Sequence, residues 1–284
     1  IMNKELLERE GQAHILRFWD RLSVSERDSL EAQISKLDFA SINRMRGMLL
    51  NRSNGAASAV EPEPAPVEHL CCPEEKAKAR AKGEEALRKG QVAVVLVAGG
   101  QGSRLGFEGP KGAYPIGPIT DKPLFYFHAR KILALSKRFG ASIPFYVMTS
   151  EANDAATREC FAQHDFFGLP REDVFFFSQG MWPALDPDGK IILDAPGHIF
   201  MSPDGHGGIL SALEASGATA DMARRGITTV FYFQVDNPMV AIADPEFIGL
   251  HLIKGADISI KVCAKRDPQE GLGTVSYTHL TLPT

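Results

Sequence analysis

The sequence predicts an α/β protein: a Rossmann-like, mixed but mostly parallel sheet covered by helices, with an N-terminal helical region. Three observations predict it. From Gln91 onward, strand-length apolar runs alternate with helical segments, the pattern of a parallel sheet with crossover helices. The first run, Val92 to Val97, is continuously apolar, as in a strand buried on both faces, and ends in a glycine-rich turn. Residues 4–49 instead space their apolar side chains at helical intervals.

The elements follow in order. Ile15, Leu16, Phe18, Trp19 and Leu22 form one helical stripe. Leu30, Ile34 and Leu37 form a second, opened by Ser25 and Asp28 in a capping-box-like arrangement. Residues 1–50 therefore read as a helical packing region. Residues 51–72 read as a linker, because Pro62, Pro64 and Pro66 favour extended chain. Pro73, Glu74 and Glu75 open a charged connecting helix over 73–90, with proline in the first turn and acids at the positive end; Gly90 ends it. The remaining strands are expected at 144–149, 174–178, 230–235 and 258–263, and helices at 124–139 and 153–164. Residues 91–275 form one ligand-binding domain in this reading, with ligands expected beyond the carboxyl ends of the strands.

Composition narrows the function. Among 284 residues, 44% are hydrophobic and 23% charged, which is ordinary for a globular protein. A net charge of −4 argues against a general nucleic-acid binder. No apolar run reaches the length of a membrane span. Cys71, Cys72, Cys160 and Cys263 have no metal-ligand spacing, and reduced thiols in a cytoplasm are the expected state. Oligomeric state is not fixed by the sequence.

The chemistry sits in Gly99-Gly100-Gln101-Gly102-Ser103-Arg104 and in Pro110-Lys111-Gly112. Glycines let backbone amides approach phosphate oxygens, and Arg104 and Lys111 supply positive charge. A Walker A loop would need lysine between glycine and Ser/Thr, but Lys111 lies between Pro110 and Gly112. A dinucleotide fingerprint fails too, because Leu105 stands where the third glycine is needed after Gly100 and Gly102. That disfavours a dinucleotide-dependent oxidoreductase. A plain structural turn is the remaining alternative. Asp236, at the end of an apolar strand, suits either Mg2+ or the cap of an Asp-Asn-Pro turn.

The run Leu96 to Gly106 with Pro110-Lys111-Gly112 resembles the signature of the UDP-sugar pyrophosphorylases. Gln179-Gly180-Met181-Trp182-Pro183-Ala184, Ser202-Pro203-Asp204-Gly205-His206-Gly207-Gly208 and Val235-Asp236-Asn237 resemble three further family motifs, in family order. The branch most resembled is the N-acetylhexosamine one. The resemblance implies a nucleotidyltransferase, GT-A-like fold over 91–275, and transfer of uridylyl from UTP to a sugar 1-phosphate with Mg2+. It implies UTP contacts at Ala98, Gly99, Gly100, Gly102, Gln179 and Gly205. Arg104, Lys111 and Asp236 become the catalytic candidates, Asp236 also the metal ligand. His206, Asn237 and Gly273 become the sugar contacts.

Position 206 departs from the branch, which has asparagine there. Histidine is reminiscent of UDP-glucose pyrophosphorylases, so a UDP-glucose or broad-specificity enzyme is the near alternative, and His206 either bonds the sugar or fills a turn. A catalytically silent nucleotide-binding relative is the alternative of another class; the presence together of Arg104, Lys111 and Asp236 argues against it. Residues 276–284 do not resemble the family and read as a foreign tail, so the chain is expected to be an incomplete piece of the catalytic domain.

Overall fold

The structure is a computed structural model, and it describes residues 4–51, 67–68, 72–267 and 269–270. The chain divides into two compact units. The described part of the first comprises 4–51 and Met181–Asp204, and that of the second 67–68, 72–180 and the described residues from 205 to 270. The segment Met181–Asp204 thus groups with the N-terminal helices and not with the residues that flank it in sequence. Most of the expected linker and all of the tail at 276–284 lie outside the described residues.

The first unit contains helices α1 (Lys4–Arg9), α2 (Val24–Ser35) and α3 (Phe39–Asn51). The first predicted stripe is not an α-helix. It forms two short 3-10 turns, Ala13–Leu16 and Trp19–Arg21, that still bury Ile15 and pack Trp19. The capping box is also displaced from its predicted place. Ser23, not Ser25, caps α2, accepting from the Glu26 amide while the Glu26 carboxylate accepts from the Ser23 amide at 2.7 Å. Ser23 is the last extended residue before the helix, which is the backbone state a cap requires.

In the second unit, α4 (Pro73–Arg88) starts at Pro73 as predicted, and Gly90 follows its end in the left-handed region (φ 66°). Then come β1 (Val92–Val97), α5 (Leu124–Phe139), β2 (Phe145–Thr149), α6 (Asp154–Gln163) and β3 (Val174–Ser178). The first unit takes four short strands next, β4 (Met181–Pro183), β5 (Leu193–Ala195), β6 (His198–Ile199) and β7 (Met201–Pro203), paired antiparallel as β4–β7 and β5–β6. Buried Gln12 holds this segment to the helices, donating to Gly189 O at 2.9 Å and accepting from the Ile191 amide at 3.0 Å. The second unit resumes with α7 (Ile209–Ala215), α8 (Ala218–Arg224), β8 (Thr229–Gln234) and α9 (Pro245–Lys254).

One parallel sheet with order β3-β2-β1-β8 organises the second unit. Alternation along β1 separates two cores. Val92, Val94 and Leu96 pack with α4, α5, α6 and α9, whereas Ala93 and Val95 pack with α7 and α8. Helices α4 and α9 touch backbone to backbone, since a Cβ on Gly249 would fall 1.6 Å from Ala79 O. On the buried side of α8, Asp221 accepts from the Tyr146 hydroxyl at 2.7 Å and from Arg225 Nε at 2.9 Å. Burial works against its charge, but those hydrogen bonds prevail and hold the carboxyl below its usual range. The predicted strand at 258–263 does not form: Ile258, Ile260 and Val262 are exposed and pair with nothing among the described residues. Their alternation gives the capacity for a strand, but a strand needs a neighbour to bond to.

Candidate active site

The strand order sets the site. After β1 the chain goes to β2 and β3 on one side, then returns to β8 on the other, so the β1/β8 boundary is a topological switch point. Ligands in open α/β sheets bind at such boundaries, beyond the strand carboxyl ends.

The loop after β1 leaves the sheet at Ala98, whose amide makes a last bond to Met148 O at 2.8 Å. It then folds back on itself. Gln101 and Pro110 form an antiparallel bridge, with Gly102 N on Gly109 O at 2.8 Å and Lys111 N on Gly100 O at 3.0 Å. Gly102 is compulsory here, because a Cβ would lie 2.8 Å from the Phe107 ring. The return lays the Lys111 side chain beside Gly100. Among the described residues, the amides of Gly99 and Gly100 donate to no protein acceptor.

Asp236 comes two residues after β8 ends. Lys111 Nζ donates to its Oδ2 at 3.1 Å, with 29% and 49% of the two side chains exposed. The turn role that Asp236 was offered falls to Asn237, whose Oδ1 accepts from the Met239 amide at 3.2 Å. Gln179, just past β3, is anchored by its amide on Thr149 O at 2.9 Å. Its side chain lies against Gly99, where an added Cβ would meet Gln179 Nε2 at 2.8 Å. Loop, lysine, aspartate and glutamine are therefore brought together at the sheet's carboxyl edge.

Gly205 takes φ +58°, which suits glycine. His206 next to it bonds the Tyr232 hydroxyl through Nδ1, and its Nε2 lies 3.2 Å from Gln234 Nε2. Partial burial pushes the Tyr232 hydroxyl up to about 12. Arg104 is exposed in the turn Ser103–Leu105, and no hydrogen bond or ion pair ties it to the other candidates among the described residues. Gly273 lies outside the described residues.

Sequence reasoning missed the residues that hold the loop. Asn153, 1% exposed, donates to Ala98 O at 2.9 Å and Gly100 O at 3.3 Å, and accepts from the Ser150 amide at 2.8 Å. Ser150 Oγ donates to Gly99 O at 2.9 Å. A signal existed: both follow β2, so their polar run lies at the same edge as the glycine loop.

The sequence matches the family described as UTP–glucose-1-phosphate uridylyltransferase over residues 48–280. The chain belongs to that family. Within it, the chain is 38% identical over 283 residues to UDP-N-acetylglucosamine diphosphorylase 1 of Arabidopsis thaliana, covering 95% of this chain and 56% of the relative. It is 36% identical over 288 residues to UDP-N-acetylglucosamine pyrophosphorylase of Saccharomyces cerevisiae, covering 96% and 60%. The fold agrees with a crystal structure of the Trypanosoma brucei uridine diphosphate N-acetylglucosamine pyrophosphorylase in complex with an inhibitor, with TM-score 0.81, 32% identity and coverage of 96% and 60%. The chain thus spans somewhat more than half the length of these uridylyltransferase-family relatives.

Proposed function

We propose that the protein carrying this chain is a UDP-N-acetylglucosamine pyrophosphorylase, joining UTP and N-acetylglucosamine 1-phosphate with release of pyrophosphate. The observation that carries the proposal is the Lys111–Asp236 pair, set beside the glycine loop at the switch point. The names of the relatives supply the amino sugar.

The sugar phosphate oxygen attacks the α-phosphorus of UTP and pyrophosphate leaves. Both reactants are anions, so the protein accelerates the step by alignment and charge compensation, with no covalent intermediate required. The Gly99 and Gly100 amides receive phosphate oxygens. Gln179 bonds the uracil edge, since an amide both donates and accepts. Lys111 places a point charge on the reacting phosphates, and Arg104, unengaged in the loop, takes up charge on the departing ones.

Among the described residues no three His, Cys, Asp or Glu side chains gather into a metal cage. That suits Mg2+, which is commonly held by one or two carboxylates plus substrate phosphates. Asp236, half exposed, fits as the single protein carboxylate, and the ion would supply Lewis-acid charge compensation there. A reducing, cytoplasmic setting is part of the proposal and rests on the cysteine spacing of the sequence.

The second reading, a UDP-glucose or broad-specificity enzyme, is favoured by His206, held beside the strand end by Tyr232. Pyrophosphate release by the complete gene product, from UTP and magnesium with a panel of sugar 1-phosphates, separates the readings. Release chiefly with N-acetylglucosamine 1-phosphate is expected. Release chiefly with glucose 1-phosphate would transfer the protein to the second reading, and no release with any sugar would establish the silent relative.

A further inference from the structure

Asp236 sits in a segment with little backbone support. From 235 to 240 the chain is neither helix nor strand; Val235 N still bonds Val97 O at 3.1 Å, but after it the backbone bonds are two at 3.4 Å, Asn237 N to Gln234 O and Val240 N to Asn237 O. What grips it comes from α5. His128, fully buried, has Nε2 2.8 Å from Val235 O. A carbonyl only accepts, so the proton is on Nε2, and Nδ1 has no partner. One turn further on, Lys131 Nζ donates to Pro238 O at 2.5 Å and Val240 O at 3.0 Å. The peptide carbonyl before Asp236 and two carbonyls after it are thus fastened to one rigid helix.

The choice of groups is informative. Stability alone would be served by an apolar contact at 128 and a solvated lysine at 131. Instead a buried imidazole spends its one donor on the residue preceding Asp236, and burial lowers the proton affinity of an ammonium whose acceptors are loop carbonyls. Among the described residues, the hydrogen bonds of both side chains go to the 235–240 segment and none to the glycine loop.

We infer that His128 and Lys131 are positioning residues that hold the Asp236 carboxylate opposite Lys111. The inference rests on the reading that Asp236 works on the magnesium–triphosphate. Groups that orient a ligating residue typically change affinity or activity by about 10–100-fold when removed.

The test is a double-mutant cycle in the complete gene product, read as kcat, KM and calorimetric binding of magnesium–UTP. Lys131→Met is expected to lower kcat about tenfold and to weaken magnesium–UTP binding, with KM for the sugar phosphate within about twofold. Lys131→Arg, which keeps a donor for the carbonyls, should restore most of the loss, as should His128→Gln relative to His128→Phe. In an Asp236→Asn background the Lys131→Met effect should vanish. Because Lys131 is only partly buried, this arm survives even if His128→Phe fails to fold. Unchanged kcat in Lys131→Met, beside an Asp236→Asn that is strongly impaired but still measurable, overturns the inference alone. The same fractional loss in both backgrounds overturns it too, as general damage to the fold. Wild-type turnover by Asp236→Asn removes the underlying reading and the inference with it.

Discussion

The two faces of β8 are built for different purposes. Phe231, Phe233 and, just past the strand, Val235 enter the large core shared with α4, α5, α6 and α9. Val230, Tyr232 and Gln234 point the other way and stay exposed, because the core under α7 and α8 takes its strand residues from β1, β2 and β3 and none from β8. His206 is held on that open face by Tyr232 and Gln234. The closed face fixes the strand end in place, and the open face leaves space at the same strand end for a ligand. A single period-two pattern supplies both.

Adjacent residues provide the largest test of this division. Phe233→Ala empties a buried site ringed by Phe231 and His128 and should cost about 3–5 kcal/mol of stability. Tyr232→Ala, one residue away, should cost only about 1 kcal/mol, the size of a typical hydrogen bond. Urea titrations of both variants check the contrast. Equal losses would mean that the open face is structural after all.

The next effect separates stability from activity at the strand end. The Lys111–Asp236 pair is solvent-accessible on both sides, so its contribution to folding is about 0–1 kcal/mol. Its proposed work is on developing phosphate charge, where losing one preorganised group costs about a hundredfold. Lys111→Ala should therefore lower turnover by about that factor while moving the thermal midpoint little. A large fall in midpoint with a small fall in turnover would make the pair a structural clasp.

How much of this was legible in the sequence differs by kind of information. β1 and β3 fall at their predicted residues, and β2, β8, α5 and α6 within one residue or none, because each is a long run with one clear period. The helical stripe of 15–22 was misjudged, because apolar spacing over so few residues fits 3-10 turns equally well. The strand at 258–263 failed because alternation cannot say whether a partner edge is present. Within the candidate site, the glycine loop, Lys111 and Asp236 stand out by their spacing and by their resemblance to the family motifs, not by residue type alone. Asn153, Ser150, His128 and Lys131 do not, since they act on carbonyls far away in sequence that only the folded sheet brings near.

Asn153 gives the next smaller effect. From a nearly closed site it bonds the Ala98 carbonyl and the Ser150 amide, which alanine would no longer reach, and it adds a second donor to Gly100 O, which would keep the Lys111 amide. Asn153→Ala should cost about 1–3 kcal/mol and, by loosening Gly99 and Gly100, raise KM for UTP several-fold. Differential scanning calorimetry with steady-state kinetics reads both. A stability loss with KM unchanged would show that the loop keeps its shape without this bracket.

The smallest effect is a pH dependence arising on the closed face. Burial disfavours the charged form of His128 in the folded protein, an effect larger than the help from the Val235 carbonyl, and holds the imidazole below its usual range. In the unfolded chain the same imidazole takes up a proton near pH 6.5. Below that pH the unfolded state binds more protons than the folded one, so stability falls as pH falls. Above about pH 7.5 neither state is protonated at this group and the contribution is flat. The sign is thus a loss on acidification from the unfolded value down towards the depressed folded one, at most about 1.4 kcal/mol per pH unit. Thermal midpoints from pH 5 to 8 should slope downward on the acid side in the wild type and less steeply in His128→Gln, which keeps a donor for Val235 but cannot titrate. Identical slopes in the two proteins would show that the imidazole gains its proton without leaving the core, and that the closed face beneath Asp236 is wetter than its packing implies.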